Sequence, residues 1–156
     1  MIRLREATPE DLTTLLEFEK ALIAYEKVFT PNLKKTDFHY YDLESYIQNP
    51  DISLVVAEDK NKLIASGYAL IRKNKAYKNP ARFVFLGFMY VVPEYRGSGL
   101  NNKILNYLFE WGRERGLSEF QLDVYAPNES AIKAYKKAGF HFETITMRLN
   151  TEQGMP

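Results

Sequence analysis

Residues 83–108 read FVFLGFMYVVPEYRGSGLNNKILNYL. The stretch opens as an unbroken apolar run, stops at Pro93 and turns through Arg96, Gly97, Ser98 and Gly99. It then resumes with apolar residues at helical spacing, Leu100, Ile104, Leu105 and Leu108. Strand, glycine-bearing turn, helix: this order builds an anion site. The first backbone N–H groups of a helix have no intrahelical partner, and the helix dipole adds partial positive charge there. Glycine lets the backbone approach a ligand without a Cβ in the way.

The flanking sequence sets the element order. Ile2 and Leu4 alternate with Arg3 and Arg5, a short half-buried strand. Thr8, Pro9 and Asp11 are placed as N-cap, first helical residue and capping-box partner of a helix running to about Tyr25. Residues 26–36, with Pro31, form a loop. A second helix is expected over 37–47, ended by Asn49-Pro50. Strands are expected over 52–58 and 63–73 around a turn at 59–62, and Gly67 marks a bulge or a close backbone approach. After the opening stretch come a strand over 120–125, a helix capped by Asn128 and closed by Gly139, and a last strand over 140–149. The pattern is a single mixed α/β or α+β domain over residues 1–150, with 151–156 as a tail.

Composition excludes several classes. A formal net charge of +1 gives no field for nucleic acid or an anionic membrane, so neither is expected as a partner. The absence of cysteine removes disulfides, thiolate metal sites and a cysteine nucleophile, and fits a reducing compartment. No apolar run approaches membrane-spanning length and the N-terminus does not read as a secretory signal; the expected location is cytoplasmic. No metal site is expected. A homodimer is left open.

The turn itself is not a P-loop, since no glycine precedes a lysine at the required spacing. Nor is it G-x-G-x-x-G, because position 102 is Asn. Arg96-Gly97-Ser98-Gly99-Leu100-Asn101 does resemble the acyl-CoA pyrophosphate loop of the GNAT superfamily of N-acetyltransferases, [RQ]-x-x-G-x-[GA], departing from it at Asn101. Downstream, Asn128, Ala131, Tyr135, Lys137 and Gly139-Phe140 resemble that superfamily's second signature. The likeness covers nearly the whole chain. It implies an α+β fold with a central, mostly antiparallel twisted sheet and about four flanking helices. It also implies transfer of acetyl from acetyl-CoA, a co-substrate needing no metal, to a primary amine of a small molecule, amino acid or peptide. The amine would attack directly in a ternary complex.

By the same resemblance, Met89, Tyr90 and Val91 would guide the pantetheine arm, Arg96, Gly97, Ser98, Gly99, Leu100 and Asn101 would hold the pyrophosphate, and Asn128 would contact the arm. Tyr135 would protonate the departing thiolate, a phenol being able to act as that acid. From periodicity alone it reads as a core aromatic. Many relatives carry a Glu shortly before the Val-Pro, where this chain has Leu86-Gly87-Phe88-Met89, so the base stays open among Glu26, His39, Asp123, Tyr90 and an ordered water. The acceptor is expected among Tyr25, Glu26, Phe29 and Tyr40, within an aromatic-rich segment that also holds Phe38, Tyr41 and Tyr46. Two other readings remain: a non-catalytic acyl-CoA sensor or interaction module, and a loop that binds a different phosphorylated ligand such as a nucleotide.

Overall fold

Alternating apolar residues make the chain's extended segments two-faced, and in the computed structural model, which describes residues 1–153, they pair into one five-stranded sheet. The strands are β1 (Arg3–Glu6), β2 (Ile52–Asp59), β3 (Lys62–Lys73), β4 (Arg82–Val91) and β5 (Phe120–Leu122), in spatial order β1-β2-β3-β4-β5. The first three pairings are antiparallel, and β4–β5 is parallel. Lys60 and Asn61, both at positive φ, make the tight β2–β3 turn.

Period-2 alternation distributes β2 to two cores. Val55 and Ala57 face α3 (Leu100–Glu114), where Leu100, Ile104, Leu105 and Leu108 fill one layer. Leu54 and Val56 face α1 (Leu12–Glu26) and α2 (Leu43–Gln48), meeting Leu15, Phe18 and Leu43. The last helix, α4 (Glu129–Lys137), joins the α3 side through Tyr135, Ala138 and the following Phe140. The Thr8–Asp11 capping box forms, on a short 3-10 turn (Pro9–Asp11) leading into α1.

β4 changes phase along its length. Val84 and Leu86 face α3, whereas Met89 and Val91 do so after the register shift opposite Gly67, between Ser66 and Tyr68. One extra residue on β4 flips every later side chain, which is the signature of a bulge. Phe88 sits there at φ 55, its carbonyl accepting from Ser66 Oγ at 3.0 Å.

Three expectations are corrected. The second helix begins at Leu43 rather than near residue 37: residues 37–42 are drawn instead to a buried carboxylate described below. The strand expected over 120–125 stops at Leu122. The strand expected over 140–149 does not form; among the described residues nothing pairs with the outer edge of β5, and residues 141–149 are exposed. Of the expected tail 151–156, Thr151–Gln153 form a 3-10 turn, and 154–156 lie outside the described residues.

Candidate active site

β4 and β5 share only three paired positions, Val84 with Phe120, Phe85 with Gln121 and Leu86 with Leu122. β4 runs on to Val91 while the other chain leaves, so the two strands part into a V. Hydrogen bonding shows which peptide groups line it. Val92 N–H donates to Ile64 O on β3 at 2.9 Å, so strand alternation turns the peptides of Met89 and Val91 toward the opening. Val91 O accepts from Arg96 Nε at 2.9 Å on that side. Tyr90 is oriented the other way: its backbone faces β3, and its ring packs on Phe18 with centroids 4.8 Å apart.

The turn below the V is shaped for close approach. Gly97 and Gly99 both have φ near 80, and a Cβ at either would meet nothing within 4 Å, so the loop surface is open. Gly99 is the left-handed N-cap of α3, and Lys103 N–H is the first to bond back to it, at 3.3 Å. The N–H groups of Leu100, Asn101 and Asn102 therefore have no partner within the helix and point out of its positive end. Leu100 anchors the turn by burying its side chain. Ser98 Oγ bonds to Tyr95 O, bracing the loop rather than facing outward.

From the α4 side, Asn128 is buried and its Oδ1 caps the helix by accepting Ala131 N–H at 3.3 Å. That use of Oδ1 leaves its amide N–H₂ as the group available to a ligand. Tyr135 lies on the same side, its ring edge-on to Phe140. Burial, and then the nearby Glu26 carboxylate, push its phenol up to about 12.

Glu26 ends α1, on the opposite face of the sheet from α4, yet its charge reaches Tyr135, Tyr40 and Tyr41. Burial raises the Glu26 carboxyl above the ordinary carboxylate range, opposed by the Tyr40 hydroxyl. The Tyr40 hydroxyl is buried and has no hydrogen-bond partner among the described residues; burial, Glu26 and Tyr125 all raise its pKa. A buried hydroxyl near a desolvated carboxylate makes a polar spot in an aromatic setting.

The other aromatic residues of that segment range from the surface to the core. Tyr25 is exposed and packs edge-on against Phe29, 5.3 Å away. Tyr41 and Tyr46 pack on Tyr68, and Tyr41 also on Phe88. His39 lies at the surface, 2.6 Å from Glu19, and Asp123 is exposed beyond β5. Gly87 leaves no room for a carboxylate on β4, since the Tyr68 ring occupies the space any Cβ would need.

Glu19 and Tyr125 were not singled out by the sequence. Glu19 is 1% exposed and accepts the N–H groups of both Tyr40 and Tyr41 at 2.9 Å, which pins the loop carrying Tyr40. The signal was present: Leu15, Glu19 and Ile23 recur at helical spacing on one face, so Glu19 occupies a core position, and Glu26 continues that face half-buried. Among the described residues no three His, Asp or Glu side chains gather as metal ligands, and no helix is long and apolar enough to cross a membrane.

Comparison with known proteins bears on the family and the fold. The model of the acetyltransferase (GNAT) family matches residues 18–140. A thialysine N-epsilon-acetyltransferase of Mus musculus is 28% identical over 88% of this chain and 82% of its own length. Among solved structures, a predicted acetyltransferase with acetyl-CoA from Clostridium acetobutylicum superposes with TM-score 0.73 at 20% identity, covering 98% of each chain. A tetramutant protein from Bacillus halodurans gives 0.84 at 19%, covering 95% of this chain and 99% of that one.

Proposed function

Since the chain belongs to the GNAT family of acetyltransferases, we propose that it transfers the acetyl group of acetyl-CoA to a primary amine of a small molecule, amino acid or peptide in the cytoplasm. One observation carries this reading: β4 parts from β5 just above a glycine turn that leaves the first N–H groups of α3 open. The half-buried Glu26 carboxylate, close enough to act on the Tyr135 phenol, supports it from the other side. The fit to acetyl-CoA rests on chemistry. The free N–H groups at Gly99–Asn102 and the Arg96 guanidinium suit a pyrophosphate, and the peptides of Met89 and Val91, with the Asn128 amide, suit the amides of a pantetheine arm. Acetyl-CoA supplies an activated acyl thioester; the residues here position it and move protons.

The acceptor enters from the α1 side. An alkyl amine of pKa about 10 arrives protonated, and the Glu26 carboxylate with the Tyr40 hydroxyl receives that cation. Glu26 first takes one proton from the ammonium, which frees the nitrogen lone pair; the C–N bond then forms, and the Met89 N–H stabilises the carbonyl oxygen. The C–S bond breaks as Tyr135 gives its proton to sulfur, and the second proton leaving nitrogen restores the Tyr135 phenol. The two proton carriers are coupled. Glu26⁻ helps to raise Tyr135, so neutralising Glu26 removes that influence and makes Tyr135 a stronger acid when sulfur departs. The mouse relative, by its name, acetylates an ε-amine, which favours a flexible alkylamine over an aromatic one.

The test is release of CoA thiol from acetyl-CoA across a panel of diamines, lysine analogues and peptides. Turnover with alkylamines is expected. CoA binding without turnover on any amine would leave a sensor, and calorimetry showing ATP but not CoA bound would end the acyl-CoA reading.

A further inference from the structure

We propose that a cavity at the far end of α3 from the glycine turn is a second binding site, taking a small organic ammonium ion that also carries a hydrogen-bond acceptor such as a hydroxyl. The cavity measures about 410 Å³, within the range of small-molecule sites, and Glu6, Tyr46, Tyr107, Trp111, Glu114 and Arg115 shape it. It lies where β1 ends, β2 begins, and α2 and α3 finish, on the β1 edge of the sheet rather than the β5 edge. The rise of α3 puts about 20 Å between it and the turn at 96–101. None of the residues given a role in acetyl transfer borders it.

The lining sets the ligand class. The Glu6 carboxylate is fixed in place: Ser53 Oγ on β2 and the Tyr107 hydroxyl on α3 both donate to its Oε2, at 2.7 and 2.8 Å. Its Oε1 stays free to accept, and neither Glu6 nor Glu114 has an ion-pair partner among the described residues. Two carboxylates without a counter-ion favour a positive charge, and one that is already immobilised loses little entropy on binding it. Both act on the wall beside them: burial first, then the bond to Glu6 and the charges of Glu6 and Glu114, raise the Tyr107 phenol. Tyr46 and Tyr107 add half-buried aromatic surface, which suits an organic cation better than a hydrated metal ion. Arg115 does not supply the missing charge, because its guanidinium lies 4.1 Å from the Trp111 ring centroid and its Nη1 donates to Trp111 O at 3.1 Å. Trp111 itself is 8% exposed, and its indole N–H has no hydrogen-bond partner among the described residues. A donor left over in the wall of a cavity calls for an acceptor on the ligand, hence a hydroxyl beside the ammonium.

Trp111 is the chain's single tryptophan, so its fluorescence reports on this cavity. The probe is choline, titrated into the full chain without acetyl-CoA, against dimethylbutanol, its uncharged carbon isostere. A saturable change with choline is expected, and binding at least about tenfold weaker with the isostere. Glu6→Gln can still accept both hydroxyls but lacks the charge, and should raise the choline Kd about tenfold at unchanged circular dichroism. Glu114→Gln, at an exposed helix end, shifts the Kd the same way, so the charge is tested even where Glu6→Gln disturbs the sheet. Glu26→Gln, in the acetyl-transfer site, should leave the choline Kd within about twofold. The proposal is overturned by no saturable response to choline, by equal binding of the isostere, or by equal choline affinity in both the Glu6 and Glu114 variants. Loss of affinity in Glu26→Gln alone would put the cation in the other site and overturn it too.

Discussion

The two halves of the site are built from different materials. The donor half, β4 with its turn and the start of α3, is backbone: peptide groups freed by a bulge, and N–H groups freed by a helix start. The proposed acceptor half is side chains, Glu26, Tyr40, Tyr125 and Tyr135, contributed by separate elements, with Glu19 pinning the loop that carries Tyr40. Backbone geometry follows from local sequence, whereas side-chain convergence follows from tertiary packing. The first kind of site tolerates many side-chain changes around it, and the second depends on each member.

The sharpest break between the halves is at Tyr135. Removing its hydroxyl leaves ring and packing in place but removes the proton donor to sulfur. Tyr135→Phe is expected to lower kcat by about 100- to 1,000-fold while the Kd for CoA, read by calorimetry, stays within about twofold. A comparable loss in CoA affinity would place the tyrosine in the donor half.

Glu19→Ala comes next. Two backbone N–H groups and His39 lose their acceptor in a buried place, a loss of about 3 kcal/mol. For a chain of this length that lowers the thermal midpoint by roughly 10 °C. The KM for amine is expected to rise before the KM for acetyl-CoA does, because the residue anchors Tyr40 and not the turn at 96–101. Equal effects on both would mean the halves are not separable.

Glu26→Gln probes the proton on the acceptor side. The raised carboxyl must be ionised to accept a proton, so in the wild type kcat/KM falls as pH drops through the Glu26 pKa, which lies above the ordinary carboxylate value. The variant is expected to lose about 30-fold in kcat/KM, about 2 kcal/mol, and to lose that acid limb. Tyr135, at about 12, stays protonated across the whole range and adds no limb of its own. The same burial gives a stability signature. A carboxyl raised in the folded state favours the protonated fold, so Glu26 costs stability as pH rises past its unfolded value, and Glu26→Gln should be relatively more stable at neutral than at acid pH.

How far each half could be read follows from the same contrast. The turn at 96–101, the caps at Thr8 and Asn128 and the β2–β3 turn are local signals, and they placed the family and the elements as far as α4. Gly67 marked the bulge region, but the phase change itself needed the partner strand, because only register shows that Met89 and Val91 face the opening while Tyr90 does not. In the acceptor half, composition named an aromatic segment without separating Tyr40, whose hydroxyl reaches the site, from Tyr41 and Tyr46, which pack on Tyr68. His39 was attractive by its ordinary pKa, yet its place at the surface is set by a buried carboxylate twenty residues earlier. The strand pattern at 140–149 is real in sequence and unpaired among the described residues: alternation marks a segment able to pair but does not name its partner edge.

The smallest expected effect concerns Gly99. At φ 80 a β-branched side chain costs about 1–2 kcal/mol, and since nothing lies within 4 Å of the missing Cβ, the cost is conformational rather than steric. The loop can relieve it by moving out of the left-handed region, which turns the first N–H groups of α3 away from an anion. Gly99→Val should then raise the KM for acetyl-CoA about tenfold, the equivalent of 1.4 kcal/mol, with kcat and amine KM little changed. Gly116 supplies the control. It has φ 75 at the other end of α3, also with open space around it, so Gly116→Val carries the same strain at the end of the helix where carbonyls, not N–H groups, are free. It should cost stability and leave the KM for acetyl-CoA alone. If the two variants behave alike, the donor half is not held by the backbone at Gly99, and the distinction between a backbone-built and a side-chain-built half fails at its simplest point.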